Sequence, residues 1–116
     1  MRIRSITCLL TLCVSLTILS ARRVIDVSTF GLFPNTPHAA LPALRQVLKA
    51  CEGQKNVTLL FPKGRYDFYA SVPKPSAENV AFLLQQRNGI TIDGGGSEFI
   101  FHGWMQVANI LESKNV

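Results

Sequence analysis

Short apolar runs recur along the final third of this chain, and turn-forming residues separate them. The runs are AFLL at 81–84, ITI at 90–92, EFIF at 98–101 and VANIL at 107–111. Their centres lie about eight to ten residues apart, a rhythm typical of a β-sandwich or of a solenoid of stacked parallel strands. The segment GITIDGGGSEFIFHG at 89–103 shows the pattern most sharply, because three consecutive glycines separate two of the runs. An all-β architecture is therefore expected.

Earlier segments add strands and one helix. Residues 24–33, VIDVSTFGLF, alternate in polarity and predict a strand that ends near Gly31, while 57–61 and 65–68 predict two more. Apolar residues recur at helical spacing at Leu41, Leu44, Val47, Leu48 and Cys51. This stripe predicts an amphipathic helix of about three turns, with Pro42 in its first turn and Gly53 just beyond its end.

The three glycines favour the solenoid over the sandwich. A parallel β-helix turns sharply between its faces, so residues free to adopt positive φ are needed where a strand ends, and Gly94, Gly95 and Gly96 supply them. The helix at 41–51 is then expected to cap the open end of the first coil, because the terminal edge of a solenoid must be shielded. We therefore predict a parallel β-helix, of which this chain holds the N-terminal cap helix and the first coils only. A small β-sandwich is the alternative.

The N-terminus has the order of a secretory signal peptide. Arg2 and Arg4 precede a charge-free run from Ser5 to Ala21 that ends in small residues. The apolar part is about 14 residues long, short of the roughly 20 that a membrane span needs. We expect residues 1–21 to be a cleaved signal peptide, with export to the periplasm or the medium and no stable membrane anchor. Residues 22–116 then form the N-terminal part of a truncated domain.

The composition of the exported part limits its partners. Removal of Arg2 and Arg4 leaves ten basic residues against seven acidic ones, so the net charge falls from +5 to about +3. The basic residues are scattered and form no stripe interleaved with aromatics, so no nucleic-acid partner is expected. Cys51 is the one cysteine beyond the signal segment, and an internal disulfide is therefore excluded.

Two sets of motifs resemble known families. VIDVSTFGLFPNT, the helix and VTLLFPKGRYDF together resemble the N-terminal entry of pectate-lyase-like right-handed β-helix proteins. KGRYDFYA, GITIDGGGSEFIFHGWMQ and ILESKNV are similar to the family 110 glycoside hydrolases, bacterial exo-acting α-1,3-galactosidases. The resemblance covers about residues 24–116 and specifies a right-handed parallel β-helix of the pectin-lyase-like type.

The resemblance implies a secreted glycoside hydrolase that removes terminal α-1,3-linked galactose from glycans of the blood-group B type, with inversion. It implies a glycan substrate and no cofactor. Family members are several times longer, so we expect further coils beyond Val116 and no activity from this chain alone. A non-catalytic secreted β-helix or glycan-binding module, or another polysaccharide-degrading β-helix enzyme, is the alternative.

Glycoside hydrolysis uses two carboxylates that face each other across a sugar. Asp93 and Glu98 flank the glycine turn, but Asp93 is expected to bond local backbone N–H groups and Glu98 to face solvent. The resemblance places the catalytic acids on later coils, so no catalytic residue is assigned here and substrate-binding residues stay unknown. His38, His102 and Cys51 are isolated, and no metal site is expected. His102 with Gly103 and Trp104 is interpreted first as a core or coil-edge position and second as a sugar-stacking surface.

Overall fold

The computed structural model describes residues 22–116, and the predicted signal peptide at 1–21 lies outside them. The described residues form seven strands and one α-helix: β1 (Arg23–Asp26), α1 (Leu41–Ala50), β2 (Lys55–Leu60), β3 (Arg65–Tyr69), β4 (Val80–Gln85), β5 (Asn88–Asp93), β6 (Glu98–His102) and β7 (Gln106–Leu111). Within this part of the chain, no helix is long and apolar enough to cross a membrane.

All strand pairing in the described residues is parallel. The strands form three small sheets, in the orders β1-β2-β5, β3-β6 and β4-β7. Paired residues are far apart in sequence: Val80 pairs with Gln106, 26 positions on, and Arg23 pairs with Val57, 34 positions on. Every sheet is therefore closed by long-range contacts and not by hairpins.

The predicted right-handed parallel β-helix of the pectin-lyase-like type, with a cap helix and first coils, is wrong for this chain. No sheet in the described residues has more than three strands, whereas a solenoid needs about three or more stacked repeats to bury a continuous core. The structure is a small β-rich domain with short parallel strand pairs and one helix. The alternative prediction, a small β-sandwich, fits in that the chain is a small β domain, although its strands pair in parallel.

The predicted elements themselves are largely confirmed. The helix begins at Leu41, as its apolar spacing indicated, and the later apolar runs all become strands. The first strand is shorter than 24–33 and ends at Asp26, because Asp26 Oδ1 accepts a hydrogen bond of 2.9 Å from the backbone N–H of Ser28 and starts a 3₁₀ turn. Gly31, at φ 83°, ends that turn.

The core lies between α1 and the inner faces of the strands. One side of α1 is buried through Leu41, Leu44, Val47 and Leu48. An aromatic cluster fills the space beyond it, and Phe61 is central, with ring centroids 5.4 Å from Tyr66 and 4.9 Å from Phe99. The Phe61–Tyr66 contact is edge-to-face and the Phe61–Phe99 contact is tilted at 60°, and aromatic pairs of this kind add to the hydrophobic burial.

The glycine turn is confirmed at two of its three glycines, because Gly94 does not have a positive φ. Gly95 and Gly96 have φ of 57° and 81°, values that disfavour any residue with a Cβ atom. Asp93 Oδ1 accepts a hydrogen bond of 3.0 Å from the backbone N–H of Gly95. This local bond confirms the structural interpretation of Asp93.

A buried asparagine holds the proline-containing loop at 71–75. The Asn79 side chain accepts hydrogen bonds from the backbone N–H groups of Ser71, at 2.7 Å, and Val72, at 3.1 Å. Its amide N–H donates to the carbonyl oxygens of Val72 and Lys74 at 3.0 and 2.8 Å. One side chain thus fixes the path of the loop.

Candidate functional site

The outward face of β3 and β6 carries the polar and aromatic residues of the candidate site. The two strands pair in register, with Tyr69 opposite His102 and Asp67 two residues before Tyr69. Side chains alternate between the faces of a strand, so Asp67, Tyr69 and His102 share one face while Phe68 and Phe101 turn toward the core. The sheet itself therefore brings these three side chains together.

Tyr69 and His102 stack almost in parallel. Their ring centroids are 4.3 Å apart and their planes differ by 9°. Trp104 follows the end of β6 and is 61% exposed. With the loop segment 70–73, the three rings line an open cleft of about 420 Å³, which we call the aromatic cleft. Exposed aromatic faces in a concave setting are suited to stacking on the apolar face of a sugar ring.

Asp67 orients the imidazole of this stack. His102 Nε2 lies 2.8 Å from Asp67 Oδ1, and the Arg65 guanidinium donates to the same carboxylate at 3.1–3.3 Å. Hydrogen bonds from Arg65 and then from His102 hold the pKa of the Asp67 carboxyl below its ordinary value. Asp67 is thus an ionised group that positions His102, and it is poorly suited to donate a proton as a general acid.

The sequence-predicted residues are placed as follows. Asp93 is engaged in the glycine turn, and Glu98 begins β6 with an exposed side chain. Cys51 is buried at the end of α1, and burial raises the pKa of its thiol. Among residues 22–116, no group of three or more His, Cys, Asp or Glu side chains is arranged to hold a metal ion.

The sequence pointed to His102 and Trp104 but missed Tyr69 and Asp67. His102 and Trp104 are separated in the chain by Gly103 alone, whereas Asp67 lies 35 residues before His102. The one signal available was the alternation Arg65, Asp67, Tyr69 along a predicted strand, which places the three on a common face. Which other strand would complete that face could not be inferred from local pattern.

Comparison with known proteins identifies relatives over nearly the whole chain. No protein-family model matches it. It is 41% identical over 95% of its length to an alpha-1,3-galactosidase B of Bacteroides thetaiotaomicron, and 36% identical over 91% to an alpha-1,3-galactosidase B of Phocaeicola vulgatus. An alpha-1,3-galactosidase A of Shewanella woodyi is 35% identical over 84% of the chain.

The chain spans about a fifth of the length of the relatives it matches, 20% of the first two and 18% of the third. The predicted resemblance is confirmed for the segment that the chain spans. The chain is homologous to a segment of proteins named alpha-1,3-galactosidase, which by that name are glycoside hydrolases.

Proposed function

We propose that this chain is a sugar-contacting, non-catalytic part of an exported glycoside hydrolase that removes terminal α-1,3-linked galactose from glycans, with residues 1–21 as its signal peptide. The observation that carries the chain's own role is the stack of Tyr69 on His102 beside exposed Trp104. The names of the relatives support the hydrolase and the α-1,3-galactoside substrate class.

The aromatic cleft has the properties that carbohydrate recognition requires. His102 covers one face of the Tyr69 ring, so the other face of Tyr69 and the exposed Trp104 ring offer apolar area for the C–H groups of a pyranose. The His102 imidazole, held by Asp67, presents its remaining edge beside them and can exchange hydrogen bonds with sugar hydroxyls. The combination of apolar walls with a few oriented polar groups is typical of ligand sites.

The described residues supply no credible pair of hydrolytic carboxylates. A glycosidase needs one carboxyl to donate a proton and a second to act as base or nucleophile across the sugar. Asp67 contacts His102, which lines the cleft, and it is held ionised by Arg65 and His102. We therefore assign binding, and not bond cleavage, to this part of the protein.

Tryptophan fluorescence provides a direct test, because Trp104 is the single tryptophan of the chain. Titration of the full chain with a disaccharide that ends in α-1,3-linked galactose is expected to change Trp104 emission saturably and to release no free galactose. Tyr69→Ala should weaken binding about fivefold to tenfold, since a stacked aromatic contributes about 1 kcal/mol beyond burial.

Phe33→Ala is the matched control, because Phe33 is a 55% exposed aromatic that does not line the cleft. It should leave the affinity unchanged. The binding role is refuted if emission does not saturate, or if Tyr69→Ala and Phe33→Ala bind alike. Release of galactose by the chain alone would refute the non-catalytic assignment.

A further inference from the structure

A second site is indicated by a buried arginine that contacts the C-terminal end of α1. Arg87 lies in the short connection between β4 and β5 and is 7% exposed. Its Nη2 donates a hydrogen bond of 3.0 Å to the carbonyl oxygen of Leu48, in the last turn of α1. A cation at this end of a helix is favourable, because the last carbonyl groups carry partial negative charge.

The rest of the Arg87 guanidinium has no acceptor. Nε and Nη1 are buried and lack a hydrogen-bond partner within residues 22–116, which leaves three N–H donors unsatisfied. The ion pairs found in the same part of the chain are those of Asp67, and none includes Arg87. A buried cation without a counter-charge is unfavourable, so the site favours an incoming anion.

Arg87 lines a pocket that has room for a small anion. The pocket lies between α1 and β4 and has a volume of about 420 Å³. We call it the basic pocket. Arg45 and Lys49 contribute positive charge from α1, while Leu48, Val80, Ala81 and Leu83 supply apolar wall. Glu52 and Glu78 also line it, and the Arg45 guanidinium donates to the backbone carbonyl of Glu78.

We infer that the basic pocket binds a small oxyanion, a carboxylate, sulfate or phosphate group, with Lys49 at its rim, and that the Arg87 side chain turns toward the pocket to bring its buried, unpaired N–H donors into contact with the anion. Guanidinium donors match such oxygen acceptors in both charge and direction. The site is separate from the aromatic cleft and shares no lining residue with it. This inference therefore does not rest on the proposed galactoside binding.

The test follows the Nε–H signal of Arg87 in ¹⁵N-labelled full chain by NMR. Sodium acetate, sulfate and phosphate are titrated separately against sodium chloride at constant ionic strength. A saturable shift of this signal with at least one oxyanion, accompanied by a higher thermal midpoint, is expected. Saturation with acetate alone assigns the site to carboxylates, and saturation with all three assigns it to oxyanions generally.

Three variants separate binding from structure. Arg87→Met should abolish the stabilisation by the oxyanion, although loss of the bond to Leu48 also weakens the fold. Lys49→Met keeps that bond and should weaken binding about threefold, the effect of a partly screened charge. Lys74→Met, a lysine that does not line the basic pocket, is the matched control and should bind as the parent chain does.

Three results would overturn the inference. The first is a shift no larger with any oxyanion than with chloride. The second is equal affinity in Lys49→Met and Lys74→Met. The third is a large loss of stability in Glu52→Gln with no gain in oxyanion affinity, because Glu52 would then be the natural counter-ion of Arg87.

Discussion

At the scale of single residues, Asn79 shows how one amide stabilises a loop that has no secondary structure of its own. Its side chain is almost fully buried and makes four hydrogen bonds to the backbone of residues 71–74. Val72 and Pro73 on this loop form one wall of the aromatic cleft. The shape of the cleft therefore depends on a residue outside it.

Replacement of Asn79 by alanine is expected to destabilise the chain by about 2–4 kcal/mol, because buried backbone groups lose their partners and a cavity remains. Urea unfolding measures the difference. Asn109→Ala, on the partly exposed strand β7, is the control and should cost less than about 1 kcal/mol. Equal losses in the two variants would show that Asn79 does not hold the loop.

Single residues also show the limit of sequence reasoning about the site. The role of Asp93 was predicted correctly, because its hydrogen bond to Gly95 is formed within three consecutive residues. The Asp67–His102 contact could not be predicted, because it depends on β3 and β6 pairing in one register. Contacts between residues close in sequence could be predicted, whereas contacts that depend on the pairing of distant strands could not.

At the scale of elements, α1 was the most predictable part of the fold. Its apolar residues at 41, 44, 47 and 48 follow the helical repeat, and the same four are the buried ones. The helix packs these residues against β4 and the 3₁₀ turn at Val27–Phe30. Its stability thus comes from tertiary contact more than from its ten residues alone.

Leu44→Ala tests that dependence. Leu44 is fully buried, and its truncation is expected to cost about 2–5 kcal/mol through lost burial and a residual cavity. Thermal unfolding followed by circular dichroism checks the value, with exposed Gln46→Ala on the same helix as the control. A cost below about 1 kcal/mol for Leu44→Ala would mean that α1 is not docked as described.

The strands were predictable as segments but not as an architecture. The apolar runs predicted most ends of strands β2 to β7 to within one or two residues. This was possible because each run reflects a local division between buried and exposed faces. The prediction of a solenoid was wrong because no local sequence pattern determines how many strands each sheet contains. That number depends on which distant segments pair.

At the scale of the whole molecule, the surface around β7 is unusually apolar. Val107, Ile110 and Leu111 on this strand are exposed, as is Trp104 just before it. In the described residues β7 pairs with β4 on one side only, so its second edge presents unpaired backbone groups. An exposed apolar edge strand favours association between chains.

We expect the purified chain to self-associate in a concentration-dependent manner. The double substitution Val107→Lys and Ile110→Lys should shift it toward monomer, because charges on an edge strand oppose pairing. Sedimentation velocity over a hundredfold range, about 1 to 100 μM, resolves the species. Phe33→Lys, which adds a charge at an exposed apolar residue outside the strands, should not change the distribution. A monomeric parent chain throughout this range would contradict the expectation.

The pairing of strands 26 to 34 residues apart has a kinetic consequence. Each sheet requires the closure of a long loop before any of its hydrogen bonds can form, and the entropy of that closure is lost before contacts compensate for it. Folding is therefore expected to be slow for a chain of this size, on the order of milliseconds to seconds. During that interval strand edges are open to neighbouring chains, so yield on refolding should depend on dilution more than on final stability.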